Sequence, residues 1–330
     1  MRKALKIIIT LIILTITIPY TYADRGMIPI RPEISVYEPG QKAIIAWNGI
    51  EEILILSTDV KSSEDTIALE ILPLPSKPLI QKADFKSFEE LQKIIMNKGF
   101  EMYRVYGRSL GDIKGLEIIF HEKIGVHDIT IVKASNAREL MYWMENYLRE
   151  NNITQKPYLE SLEEIIQDYI DMEFQYYSID LITISKIERS VNPILYRFNT
   201  SFLYYPLKIS SLIPGQTQIT IFTITKERIR GEHPQLKRAH YITSEMKYPI
   251  EFQISKDELN KIDMRISELF NENAWLTVLE YKGHLNTLKS DLKITIKQTE
   301  IPIYNITIII ITLAITITIM KIKEIRFTSN

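Results

Sequence analysis

The sequence predicts an α+β fold: a β-rich extracytoplasmic domain with about four single helices between strand pairs, followed by one C-terminal transmembrane helix. Three observations lead there. Four helix-period stretches each open on a capping signal. About a dozen runs rich in Ile, Val, Thr, Tyr and Phe lie between and around them. The stretch Ile301–Met320, "IPIYNITIIIITLAITITIM", runs 20 residues without a charge.

The chain opens on "MRKALKIIITLIILTITIPYTYADRG". Arg2, Lys3 and Lys6 form a basic start, and Ile7–Ile18 is an apolar run of 12 residues. Pro19 then interrupts helix, and Thr21-Tyr22-Ala23 supplies small residues where a signal peptidase reads. Residues 1–23 therefore read as a signal peptide, cleaved after Ala23. Twelve apolar residues fall short of the roughly 20 that span a bilayer. The run 301–320 does not fall short, because 20 residues at 1.5 Å each match a hydrocarbon core of about 30 Å. Lys321, Lys323 and Arg326 follow it, which places the tail 321–330 in the cytoplasm by the positive-inside rule. The expected protein is a single-pass membrane protein at the cell envelope, with residues 24–298 outside.

Between those ends the charge balance is mildly acidic. Setting aside the basic residues of the leader and tail, and Glu324, leaves 34 Lys and Arg against 40 Asp and Glu. That balance does not favour a nucleic-acid or anionic-membrane partner. The chain has no cysteine, so an extracytoplasmic domain has neither disulfides nor a lipidated Cys and must be stabilised by burial. The sequons Asn152-Ile153-Thr154 and Asn199-Thr200-Ser201 become usable outside the cell.

Each expected helix starts on a capping box, a Ser or Asn with Glu three residues on: Ser87 with Glu90, Asn136 with Glu139, Ser161 with Glu164, Ser255 with Glu258. In the second, Leu140, Trp143, Met144, Tyr147 and Leu148 form one apolar face. The expected strands are 42–47, 52–59, 66–72, 116–122, 126–133, 178–185, 193–198, 203–210, 218–225, 250–254, 275–281 and 292–297. Several are almost continuously apolar, as in strands covered on both faces. Strand pairs followed by one helix point to α+β rather than a doubly wound sheet. The polar stretch 226–247 is where two subdomains would meet, if the outer region divides.

Several segments together resemble a known group. They are "RGMIPIRPEISVYEPGQKAIIAW", "FHEKIGVHDITIVKASNARELMYWM", "LEEIIQDYIDMEFQYYSIDLITIS" and "NPILYRFNTSFLYYPLKISSLIPGQTQITIF". They look like an uncharacterised domain-of-unknown-function family of secreted or membrane-anchored archaeal and bacterial proteins. The matching positions are Gly125, Leu140, Trp143, Tyr169, Ile170, Pro193, Ile194, Tyr205, Pro206 and Leu207, within roughly residues 26–225. The resemblance implies an extracytoplasmic domain and brings no established activity. In the family pattern the position matching His127 is often aromatic.

Chemistry has three candidates. The first is "FHEKIGVHDI": a three-residue loop Lys123-Ile124-Gly125 would pair Glu122 with Val126, His121 with His127 and Ile119 with Ile129. Two imidazoles about 5 Å apart on one sheet face make half of a metal site, which still needs a third protein ligand. His121 and His127 are thus the candidate metal ligands, against the plainer reading of a structural hairpin. The second is "GRSLG", Gly107–Gly111, a Gly-x-Ser-x-Gly pattern around Ser109 that lacks the helix a nucleophile elbow requires. The third is a tyrosine-rich zone of Tyr176, Tyr177, Tyr196, Tyr204 and Tyr205, suited to glycan or peptide recognition if it lies on an open face. No phosphate-cradling loop and no His-Glu-x-x-His motif occurs, and no cofactor is implied. The sequence therefore favours a non-enzymatic, membrane-tethered domain that binds a cell-surface protein or glycan. A metal-binding protein or metallohydrolase using His121 and His127 is the alternative.

Overall fold

The computed structural model describes residues 27–295 apart from 32, 33, 35, 101–121, 125, 154–160, 213, 214 and 243–246. The leader, Ser109 and its flanking glycines, His121 and the run 301–320 lie outside the described residues. All the described residues belong to one compact unit that closes at Thr295.

In chain order the first strands are β1 (Ile28–Pro29), β2 (Val36–Trp47), β3 (Glu51–Ser62), β4 (Thr66–Leu74) and β5 (Leu79–Lys82). Helix α1 (Phe85–Asn97) is followed by β6 (Glu122–Ile124) and β7 (His127–Lys133), then α2 (Ala137–Glu150) and α3 (Leu162–Asp171). Next come β8 (Tyr176–Ile184), β9 (Arg189–Ser190), β10 (Ile194–Asn199), β11 (Leu203–Tyr205) and β12 (Gln216–Thr225). The last part holds β13 (Lys237–Arg238), β14 (His240–Ile242), β15 (Lys247–Pro249), β16 (Glu251–Ile254), α4 (Lys256–Ile262), α5 (Met264–Glu268), β17 (Ala274–His284) and β18 (Leu292–Ile294).

Two sheets carry the fold. A nine-stranded sheet runs β13-β17-β12-β2-β3-β10-β5, with β16 beside β17 and β9 beside β3; a five-stranded sheet runs β1-β4-β8-β7-β6. Pairing is antiparallel except between β12 and β2, which run parallel with Phe222 opposite Ile44. One face of the larger sheet, with Ile44, Ile53, Leu195, Phe222 and Leu276, packs under α1, α4 and α5 through Leu91, Leu259 and Ile266. Its other face meets the smaller sheet, with the Ser178 and Tyr196 hydroxyls 3.3 Å apart, and β11 reaches the smaller sheet too, where the Tyr204 hydroxyl donates to the Pro73 carbonyl at 3.1 Å. On the far side of the smaller sheet sit α2 and α3, where the Tyr177 hydroxyl donates to the Ile166 carbonyl at 3.3 Å. The near-continuous apolar runs of β3 and β12 are therefore covered on both faces, as their composition required.

Local signals succeed where a side chain acts on its own backbone. Asn136 caps α2 by accepting from the Glu139 N–H, and Ser255 and Glu258 form the reciprocal box of α4. Two expectations are corrected. The first helix starts earlier, because Asp84 accepts from the Lys86 N–H and places Ser87 inside the first turn, buried. The single helix expected after Ser255 is two, making five among the described residues: Asp263 is extended (φ −163°, ψ 129°) and its carboxylate caps α5 through the Arg265 N–H. The polar stretch from 226 is pinned to the larger sheet by Glu251, which takes Arg228 and, at 3.2 Å, Arg238.

Candidate functional site

The smaller sheet contains one unusual feature. Its strands β4, "TIALEILPL", and β8, "YYSIDLITI", carry one charged residue each, Glu70 and Asp180. The register sets these two carboxylates directly opposite each other, with Ile129 of β7 on Asp180's other side. Like charges facing across a ladder repel. Two residues before Ile129, on the same face, β7 begins with His127, so the third strand brings an imidazole to the pair.

His127 Nδ1 lies 2.5 Å from Asp180 Oδ2, and Nε2 lies 3.0 Å from the Asn192 carbonyl oxygen. The other Asp180 oxygen accepts the Asp128 N–H at 2.8 Å. Glu70, His127 and Asp180 are each 2% exposed. Burial is the largest influence on the imidazole and pulls its pKa down; the Asp180 charge and hydrogen bond, the Glu70 charge and the Asn192 carbonyl outweigh it and hold the pKa above 6.5. A carbonyl oxygen cannot donate, so Nε2 carries a proton. Nδ1 shares the short contact with Asp180, and that neighbour favours the protonated form of the ring.

One ligand atom from each of Glu70, His127 and Asp180 falls within 4.8 Å of the others, so this is where an ion would be sought. The donor set fits one poorly. A zinc ligand must offer an unprotonated ring nitrogen, and ligands about 2.1 Å from one ion sit more than 3 Å apart, beyond the 2.5 Å between Nδ1 and Oδ2. The arrangement suits a proton held between strands.

The hairpin register also differs from the expected one. Glu122 pairs with Ile129, Lys123 with Asp128 and Ile124 with His127, so two residues rather than three make the connection. The position opposite His127 is taken by Ile124. The tyrosine zone is corrected as well: Tyr177, Tyr196, Tyr204 and Tyr205 are at most 2% exposed and fill the core, not an open face. Glu70 and Asp180 escaped the sequence reading. The signal that could have found them is a lone acid inside an otherwise apolar strand.

Another buried carboxylate, Glu52, faces the same inter-sheet layer. Its Oε2 accepts the Tyr204 N–H at 2.7 Å, and Oε1 has no hydrogen-bond partner among the described residues. Burial drives this carboxyl well above the ordinary 4.5, and the Tyr204 bond only partly offsets it. Any stability it contributes is present below pH 4.5 and is lost as pH rises through the raised value. Glu52→Gln, neutral at every pH, is therefore expected to melt like wild type near pH 4 and above it at pH 7–8. Parallel thermal melts across that range check this; equal melting temperatures throughout would discard it.

Comparison with known proteins then places the chain. A family model described as "Uncharacterized protein conserved in bacteria (DUF2330)" matches residues 23–295. The chain belongs to this family. The DUF2330 match extends past the segments whose resemblance was legible, taking in β13 to β18. No curated protein matches the chain. Among solved structures, baculovirus P35 is similar at 11% identity and a TM-score of 0.41, over 81% of this chain and 98% of that one. A mutated baculovirus P35 after caspase cleavage is similar at 10% identity and a TM-score of 0.34, over 79% and 100%. Both likenesses are distant.

Proposed function

We propose that this DUF2330 chain is a non-enzymatic extracytoplasmic domain, tethered by one C-terminal span, that binds a protein or glycan at the cell envelope. The observation that carries the reading is the coincidence of two limits. The family match stops at 295, where the compact unit closes, and an uncharged run of 20 residues begins at Ile301. The interior supports the non-enzymatic part. The one His–carboxylate cluster found among the described residues is buried, and both ring nitrogens are occupied by protein oxygens.

The test is topological and chemical together. Full-length chain carrying a C-terminal tag is expressed in a prokaryotic host, and intact cells are treated with protease. The domain should be digested while the tag stays protected. A protected domain would overturn the tether. For the binding part, purified residues 24–298 should show no turnover in a hydrolase screen and no stoichiometric zinc, manganese or copper. Metal that is lost on His127→Ala would favour the alternative centred on His121 and His127.

A further inference from the structure

The last described strand, a strongly exposed apolar hairpin tip and the residue where the compact unit closes lie at one end. Strand β18 pairs with β11, placing Ile294 opposite Leu203. Just before Leu203, the Thr200 N–H donates to the Ile50 carbonyl at 2.8 Å, and the Thr200 carbonyl accepts the Trp47 indole N–H at 3.1 Å. Ile50 is the tip of the β2–β3 hairpin. Asn48 Oδ1 accepts the Ile50 and Glu51 N–H groups, both at 2.9 Å, and Gly49 takes φ +98°, so the tip is stiff. Its side chain is nevertheless 71% exposed. Beside the exit, Lys293 Nζ sits 4.6 Å and 5.6 Å from the ring centres of Phe174 and Phe202, and 3.3 Å from the sulfur of Met172, itself 41% exposed. An ammonium held over aromatic rings and beside an exposed thioether is the arrangement of side chains that lie at a lipid headgroup boundary.

Chain length supplies the occupant. Six peptide steps separate Thr295 from Ile301, a reach of about 20 Å at full extension. We propose that this end of the domain seats on the outer leaflet, with Ile50 inserted at the boundary between headgroups and acyl chains and Met172 and Phe202 beside it. The proposal rests on the reading of 301–320 as a span.

The natural chain has no cysteine, so single labels are clean. Full-length Ile50→Cys and Ile187→Cys proteins, each carrying an environment-sensitive fluorophore, are placed in vesicles containing brominated lipids. Ile187 is 74% exposed and follows Ser185, whose carbonyl accepts the Ser62 N–H at the far end of β3. That is roughly 35 Å from the tip by strand rise. The label at 50 should lose about half its emission, since interfacial groups lie some 5–10 Å deep. The label at 187 should lose none. Equal emission at both sites, on protein that floats with the vesicles, overturns the seat and leaves the tether standing. Protein that fails to float overturns both.

Discussion

Replacing His127 by Ala should cost about 3–5 kcal/mol of folding stability, the usual loss when one partner of a buried ion pair is removed. The reason lies in the ladder. Glu70 and Asp180 face each other on neighbouring strands, 2% exposed, and His127 is the basic group set beside them. Without it two carboxylates remain in the inter-sheet layer, and a cavity is left as well. Asp180→Asn should also destabilise, because it removes the charge at 2.5 Å from Nδ1. The two costs should not add. In the double variant neither charge is left waiting for the other, so the cycle should show a coupling of about 1–3 kcal/mol. Additive costs in denaturant unfolding would mean the pair is incidental.

The same pair makes the loss pH-dependent. The folded pKa of His127 lies above 6.5, so its stabilising effect is complete below pH 6.5 and is lost as pH rises through the folded value. The gap between wild type and His127→Ala should therefore be widest in mild acid and narrow towards alkaline pH. Glu70 and Asp180 are the charged groups facing the ring, and the Asn192 carbonyl closes its other side.

What the sequence disclosed and withheld divides along one physical line. Features decided within a few residues were readable: the Asn136 and Ser255 caps, the apolar face of α2, and the runs that became β3, β8 and β12. Features decided by pairing across the chain were not. The parallel contact of β2 with β12 joins residues about 180 positions apart, and no local pattern announces it. The run 203–210 had strand composition throughout, yet pairing with β18 ends at Tyr205; a 3-10 turn takes over at Lys208–Leu212. The hairpin at 121–128 turned on loop length, and one residue fewer in the connection put Ile124 opposite His127. The site itself was half legible. His127 stood out because histidine is rare here, whereas Glu70 and Asp180 acquire meaning only once β4 and β8 are laid side by side.

Asp291 should show the second large effect. Its Oδ1 alone accepts the Tyr169 hydroxyl at 2.8 Å, the Leu207 N–H at 3.0 Å and the Lys208 N–H at 2.8 Å. These three donors come from α3 and from the turn after β11, so one oxygen ties the start of β18 to both. Asp291→Ala strands all three donors in a buried place, at about 1–3 kcal/mol each when fully unsatisfied. A total loss of roughly 3–5 kcal/mol is expected after local relaxation. Asp291→Asn should behave quite differently. An amide oxygen in the same position keeps all three bonds, and the charge it removes is an unfavourable one. Burial, the largest influence, raises the Asp291 pKa above 3.8 despite the hydrogen bonds and Lys293 that lower it. The ionised form is thus less welcome in the folded state than in the unfolded chain. Above about pH 4 the Asn variant should match or exceed wild type in melting temperature, while the Ala variant falls far below. If the two variants melt together, the carboxylate works through its charge, and the three-bond account fails. Limited proteolysis adds a local readout. Cleavage near β18 should accelerate in the Ala variant before the rest of the domain opens, because the β18 ladder is only three residues long and this acceptor anchors its start.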